Sequence, residues 1–126
     1  MSILKFNPHL PSIILNTYLE GKIKLLVKFV LDTGASYVVI PWRIATGLGL
    51  EINQQNLVST TTASSVEHVP YTSIPKLTVL DKTVRNVPCI VKDLPSESGV
   101  DGLLGLSFLK HFKLTIDFNK GFLSLD

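Results

Sequence analysis

The segment Phe29-Val30-Leu31-Asp32-Thr33-Gly34-Ala35-Ser36-Tyr37-Val38-Val39-Ile40 constrains this chain more than any other. Two apolar runs, rich in β-branched and aromatic residues, enclose a carboxylate, a hydroxyl and a glycine. Such runs favour strands, and the small polar centre interrupts them. A carboxylate buried at the end of an apolar strand is costly unless donors satisfy its charge or chemistry uses it. Gly34 allows close backbone approach or unusual dihedrals, and Thr33 offers a hydroxyl to tie the turn. On the tripeptide alone, Asp-Thr-Gly reads as a plain turn between two strands.

The remaining chain supplies more short strands. Ile13 to Leu19 is apolar-rich and ends at the turn signal Glu20-Gly21, and Lys22 to Leu31 begins with strict polar–apolar alternation. After Pro41, Trp42 to Leu48 reads as a short helix closed by Gly47 or Gly49. Val58 to Thr62 and Val66 to Thr72 form one predicted hairpin, joined by Thr62-Ala63-Ser64-Ser65. Leu77 to Leu80 and Val84 to Val91 form a second one around Asp81-Lys82. Asp93 to Gly99 is a loop by its breakers, and Leu106 to Phe112 is a short helix. Lys113 to Phe118 alternates, placing Leu114, Ile116 and Phe118 on one core-facing side, before Asn119-Lys120-Gly121 turns into Phe122 to Leu125. No linker divides the sequence, so residues 1–126 are expected to form a single, mostly-β domain.

A weak internal repeat runs through it. Each half has a hairpin, an element ending in glycine (Asp32-Thr33-Gly34, then Leu103-Leu104-Gly105) and a short helix.

Composition narrows the function. Twelve Lys and Arg against ten acids, without a basic cluster, argue against a nucleic-acid partner. The apolar share of 45% in 126 residues is high for a small soluble monomer. Either a membrane or a partner must cover the surplus. A spanning helix needs about 20 mostly apolar residues, and the apolar runs here stop short, at Asp32 and at Pro41. The start lacks a charged segment followed by a long apolar one, so no signal peptide is read and the cytoplasm is the expected compartment. The lone Cys89 fits a reducing compartment.

Taken with its flanks, the Phe29–Ile40 segment resembles the active-site strand and loop of aspartic proteases. Asp101-Gly102-Leu103-Leu104-Gly105-Leu106-Ser107-Phe108-Leu109 resembles the apolar-apolar-Gly element and following helix of the retropepsins. The likeness runs from about Ser12 to Leu125 and is closest to the single-domain cellular and bacterial members. It implies an all-β fold: a retropepsin-like closed β-barrel acid-protease half with one or two short helices, working as a dimer. It also implies an aspartic endopeptidase acting on peptide or protein substrates without a cofactor. The three scattered histidines and one cysteine offer no metal-ligand spacing.

Carboxylate-catalysed peptide hydrolysis needs two acids, one to take a proton from water and one to protonate the carbonyl oxygen. No other aspartate here is followed by Thr-Gly or Ser-Gly. A chain with one such motif must borrow its second carboxylate from another copy, as the homodimeric retropepsins do. Asp32 is therefore the expected catalytic residue, with its symmetry mate across a twofold axis. By the same resemblance Thr33 braces the pair, and Gly34 supports it. Gly34 and Ala35 present backbone to an extended substrate. Ser36, Leu103 and the flap-tip residues Thr61, Thr62, Ala63 and Ser64 complete the expected substrate contacts. The Val58-to-Thr72 hairpin stands where the family has its flap.

The chain departs from the retroviral pattern in two ways. No glycine occurs between Gly49 and Gly99, so the flap tip is less compliant. Ser36 and Leu106 stand where retroviral enzymes usually have an Asp and an Arg, so that ion pair is missing. Asp101 reads as a turn residue, Cys89 as core, and His9, His68 and His111 as solvated or capping groups. Tyr71 is either substrate-facing or packed. The Phe122–Leu125 end, with Ile3 to Phe6, is expected to pair with a second subunit. The alternative function is a catalytically inactive dimerisation or peptide-binding module with the same fold. A protease domain cut from a longer chain is a further possibility.

Overall fold

Strict alternation of buried and exposed side chains along Ile14–Glu20 marks a sheet with one wet and one dry face. The computed structural model describes residues 2–61 and 64–126. Within them are ten strands, β1 (Ser2–Lys5), β2 (Ile14–Glu20), β3 (Lys24–Leu31), β4 (Val38–Ile40), β5 (Leu57–Thr61), β6 (Val66–Val79), β7 (Lys82–Val91), β8 (Gly102–Leu104), β9 (Leu114–Asp117) and β10 (Phe122–Leu125). Two short helices, α1 (Trp42–Gly47) and α2 (Leu106–Leu109), complete the set with a 3₁₀ turn at Ser96–Ser98. No helix among the described residues is long and apolar enough to cross a membrane.

Six strands close on themselves in the order β2-β3-β8-β4-β7-β6, with β6 returning to pair β2. Closure removes sheet edges. Inside lie Leu15, Leu19, Phe29, Ile74, Leu77, Leu104 and Phe108, all less than 2% exposed. The fold is all-β, a closed barrel with two short helices.

Where the chain leaves β3 it loops through Asp32 to Tyr37 and returns as β4. β8 is threaded between these two, parallel to β3 (Leu31 opposite Leu104) and antiparallel to β4 (Val39 opposite Leu103). The threading leaves no room for a side chain at Gly102, where a Cβ would lie 2.2 Å from the Val39 carbonyl oxygen. The weak repeat in the sequence thus becomes a spatial contact between its two glycine-ended elements.

Four expectations change. Val66 to Thr72 and Leu77 to Leu80 belong to one long strand, β6. The strand runs through Pro75 because the ladder to β7 skips that residue, so its missing N–H forfeits no rung. The β6–β7 turn falls on Leu80-Asp81, with Leu80 at φ 56°, one residue earlier than expected. Phe118 does not join the core: it is 64% exposed and meets Phe6 edge-on, because β9 ends at Asp117. Finally, β1 and β10 pair with each other inside the chain. β10 lies between β1 and β9, with Leu123, Ser124 and Leu125 buried, so its edges are filled without a second copy.

Candidate active site

Asp32 follows β3 directly, where the barrel wall ends. Its N–H donates to the Leu104 carbonyl at 3.1 Å, and its carbonyl accepts the Ala35 N–H at 3.2 Å. The side chain turns back on its own loop, where Oδ1 accepts the Gly34 N–H at 2.9 Å. The carboxylate is half-buried, and one oxygen is committed to holding the loop. This answers the cost of placing an acid at the end of an apolar strand: a backbone donor compensates part of its desolvation.

The loop is held from the other half of the sequence. Ala35 accepts the Leu106 N–H at 2.8 Å. This close approach requires Gly105, where a Cβ would come within 2.3 Å of the Tyr37 carbonyl oxygen and 2.7 Å of the Ala35 one. Ser107, buried at the start of α2, adds a brace that sequence reading did not find. Its Oγ accepts the Val38 N–H at 2.9 Å and donates to the Pro88 carbonyl at 2.6 Å, tying α2 to β4 and β7. A serine after an apolar-Gly-apolar element at a helix start carried only a weak signal of this role.

Asp32 opens into a cleft of about 490 Å³. Gly34, Ala35, Ser36 and Leu103, all expected at the site, line it, and so do Ser59, Thr60 and Thr61 of β5. Its apolar wall is Val39, Ile90, Leu94 and Tyr37. Thr62 and Ala63 lie outside the described residues. Ser64 is exposed and is not part of the cleft lining. Thr33 is exposed and lies on a different groove, of about 320 Å³, with Phe6, Leu10, Ile13 and Phe118.

The flap hairpin extends beyond the barrel. β5 pairs only the outer part of β6, from Leu57 opposite Pro70 to Thr61 opposite Val66. β6 begins to pair β7 at Tyr71, so residues before it belong to the flap alone. Tyr71 is packed rather than cleft-lining, meeting Tyr37 edge-on at 5.6 Å between centroids. Thus Tyr37, which the sequence did not single out, faces the cleft with Tyr71 behind it.

Two other candidates take structural roles. Asp101 accepts the Lys28 N–H at 2.8 Å and pairs with Arg43, so it anchors the turn into β8. Cys89 is fully buried in β7, and burial pushes its thiol up to about 12, far from a reactive thiolate. No group of three or more His, Cys, Asp or Glu among the described residues is arranged to hold a metal ion.

Comparisons with known proteins agree with this geometry. A family model described as aspartyl protease matches residues 17–108. A retropepsin-like aspartic protease from Rickettsia conorii has a similar structure, with a TM-score of 0.67 at 24% identity. The match covers 96% of this chain and 94% of that one. The retroviral protease-like domain of Ddi1 from Leishmania major is similar at a TM-score of 0.56 and 17% identity, covering 93% and 90% of the two chains. No curated protein matches the sequence.

Proposed function

Because the chain belongs to the aspartyl protease family, we propose that it is an aspartic endopeptidase whose working unit is a homodimer sharing two Asp32 carboxylates. One observation carries this reading. Asp32 is the sole acid among the described residues lining a flap-covered cleft, so one chain supplies half of a two-acid mechanism.

In a twofold assembly the two carboxylates stand side by side. Both cannot ionise cheaply at that distance, so the pair holds one proton; aspartic proteases are the general example of such sharing. The ionised carboxylate takes a proton from water as its oxygen attacks the peptide carbon. The protonated one gives its proton to the carbonyl oxygen. The tetrahedral intermediate then collapses: one of its hydroxyls returns its proton to the dyad as the C=O bond re-forms, the C–N bond breaks, and the amine leaves with the proton taken from water. The dyad is back to one shared proton.

The residues around the pair suit an extended peptide. Backbone groups at Gly34 and Ala35 and along β5 offer strand-like pairing, and Val39, Ile90 and Leu103 accept apolar side chains. Thr33, which lines the Leu10–Phe118 groove and not the cleft, is proposed to brace the carboxylate pair from outside the cleft. Ser36 and the flap residues Thr61, Thr62, Ala63 and Ser64 complete the proposed substrate contacts.

The test is incubation of purified protein with a denatured protein substrate from mildly acidic to neutral pH. New fragments, suppressed by a pepstatin-type inhibitor, are the expected result. Peptide binding without cleavage would instead make the chain a binding module on this fold.

A further inference from the structure

We propose that Lys92 sets substrate preference, drawing to the cleft peptides that carry an acidic side chain where they pass it. This rests on the peptidase reading above and adds a specificity to the same cleft.

Ile90 near the end of β7 and Lys92 and Leu94 just beyond it lie two residues apart, and all three line the cleft. The Lys92 N–H donates to the Ile40 carbonyl at 2.9 Å, which keeps the chain extended and fixes this register. Asp32 and Lys92 are the sole charged side chains among the described residues of the lining. The lysine side chain is only 28% exposed, so much of its stem is packed, and its ammonium meets an anion.

Within the chain that anion is Glu67, whose Oε2 lies 3.0 Å from Lys92 Nζ. Glu67 stands on the flap part of β6, opposite Thr60, and is 45% exposed. The partner of the cleft cation is therefore carried on the segment that must lift to admit a peptide. Lifting the flap separates the pair, and Lys92 is left without its counter-charge as substrate enters. A substrate carboxylate restores the balance; a neutral side chain does not. Ile90 and Leu94, two residues either side of Lys92 and lining the same cleft, suit the methylenes of a glutamate. Glu67 is in this sense an internal stand-in for the substrate's acid. An ion pair that merely propped the flap would affect every peptide alike.

The experiment scans a single Glu along a peptide otherwise carrying Gln. It measures KM and kcat for cleavage, and binding to Asp32→Asn protein by fluorescence anisotropy. The expected result is one position at which Glu improves KM and binding by about tenfold, the scale of a hydrogen bond to a charged group. In Lys92→Gln that preference falls to parity, the Glu peptide losing about tenfold more than the Gln peptide, and Lys92→Arg retains it. Glu67→Gln keeps or enlarges it, because the lysine loses its internal competitor. Absence of a Glu-preferring position overturns the proposal, as does an equal loss for both peptides in Lys92→Gln. Should wild-type protein cleave nothing, the peptidase reading fails alone, since binding to Asp32→Asn still decides for or against Lys92. If no peptide binds, both are wrong.

Discussion

The backbone N–H of Asp32 donates to the carbonyl of Leu104 at 3.1 Å. This bond ties the candidate catalytic loop to β8, a strand from the far end of the sequence, so the backbone that carries the carboxylate is held by the closed barrel as well as by its own turn. Groups held on rigid elements keep the geometry that acid–base chemistry demands.

Asp32→Asn is expected to lower cleavage by about 10² to 10⁴-fold, the range for losing a positioned acid–base group. The amide is isosteric and can still accept the Gly34 N–H, so circular dichroism and the melting temperature should hardly move. Wild-type rates in this variant would sink the assignment of Asp32.

Activity should depend on self-association. Specific activity is expected to fall on dilution, in step with dimer dissociation followed by analytical ultracentrifugation. Added Asp32→Asn protein should inhibit the wild type by forming mixed dimers. A strictly monomeric protein with undiminished activity at micromolar concentration excludes the shared-carboxylate mechanism.

Gly105→Ala probes the contact between loop and α2. Its Cβ would meet the carbonyl oxygens of Tyr37 and Ala35 at 2.3 and 2.7 Å, and backbone must shift to admit it. Urea unfolding should show a loss of about 1–3 kcal/mol, the usual cost of overpacking, or more. The same change at exposed Gly99 meets no atom within 4 Å, although its φ of 70° adds strain, so it reports conformation without crowding.

Cys89 sets a pH dependence. Burial raises its folded value from 9.0 to about 12. The folded chain therefore keeps a proton that the unfolded chain releases, and the sign follows from linkage. The stabilisation is complete below pH 9 and is lost as pH rises toward 12. The stability gap between wild type and Cys89→Ala should narrow over that interval in urea titrations. At neutral pH an aromatic disulfide reagent should label Cys89 only as fast as the chain opens; rapid labelling of folded protein would contradict its burial.

Local features were legible in the sequence. Alternation predicted β3 and β9, an apolar run before a turn signal predicted β2, the turn residues placed three hairpins, and Asp32-Thr33-Gly34 stood out because an acid between apolar strands needs a reason. Errors came where a local signal met a tertiary remedy. Val66 to Thr72 and Leu77 to Leu80 read as separate strands, yet β6 runs through both, passing Pro75 at a rung the ladder omits. Phe118 continues the apolar alternation of β9 but lies past its last paired residue.

The sequence by itself determined that this chain forms short strands around one Asp-Thr-Gly loop, because side-chain period and turn chemistry are local properties. Only the tertiary structure decided which strands become neighbours. Backbone donors and acceptors are alike at every residue, so no string of letters says that β8 threads between β3 and β4, or that β1 takes the edge of β10 within the chain. The same holds for the Ser107 bonds to Val38 and Pro88, and for the meeting of Lys92, just past β7, with Glu67 on the flap. Those contacts exist because the barrel closes, and closure is a property of all six strands together.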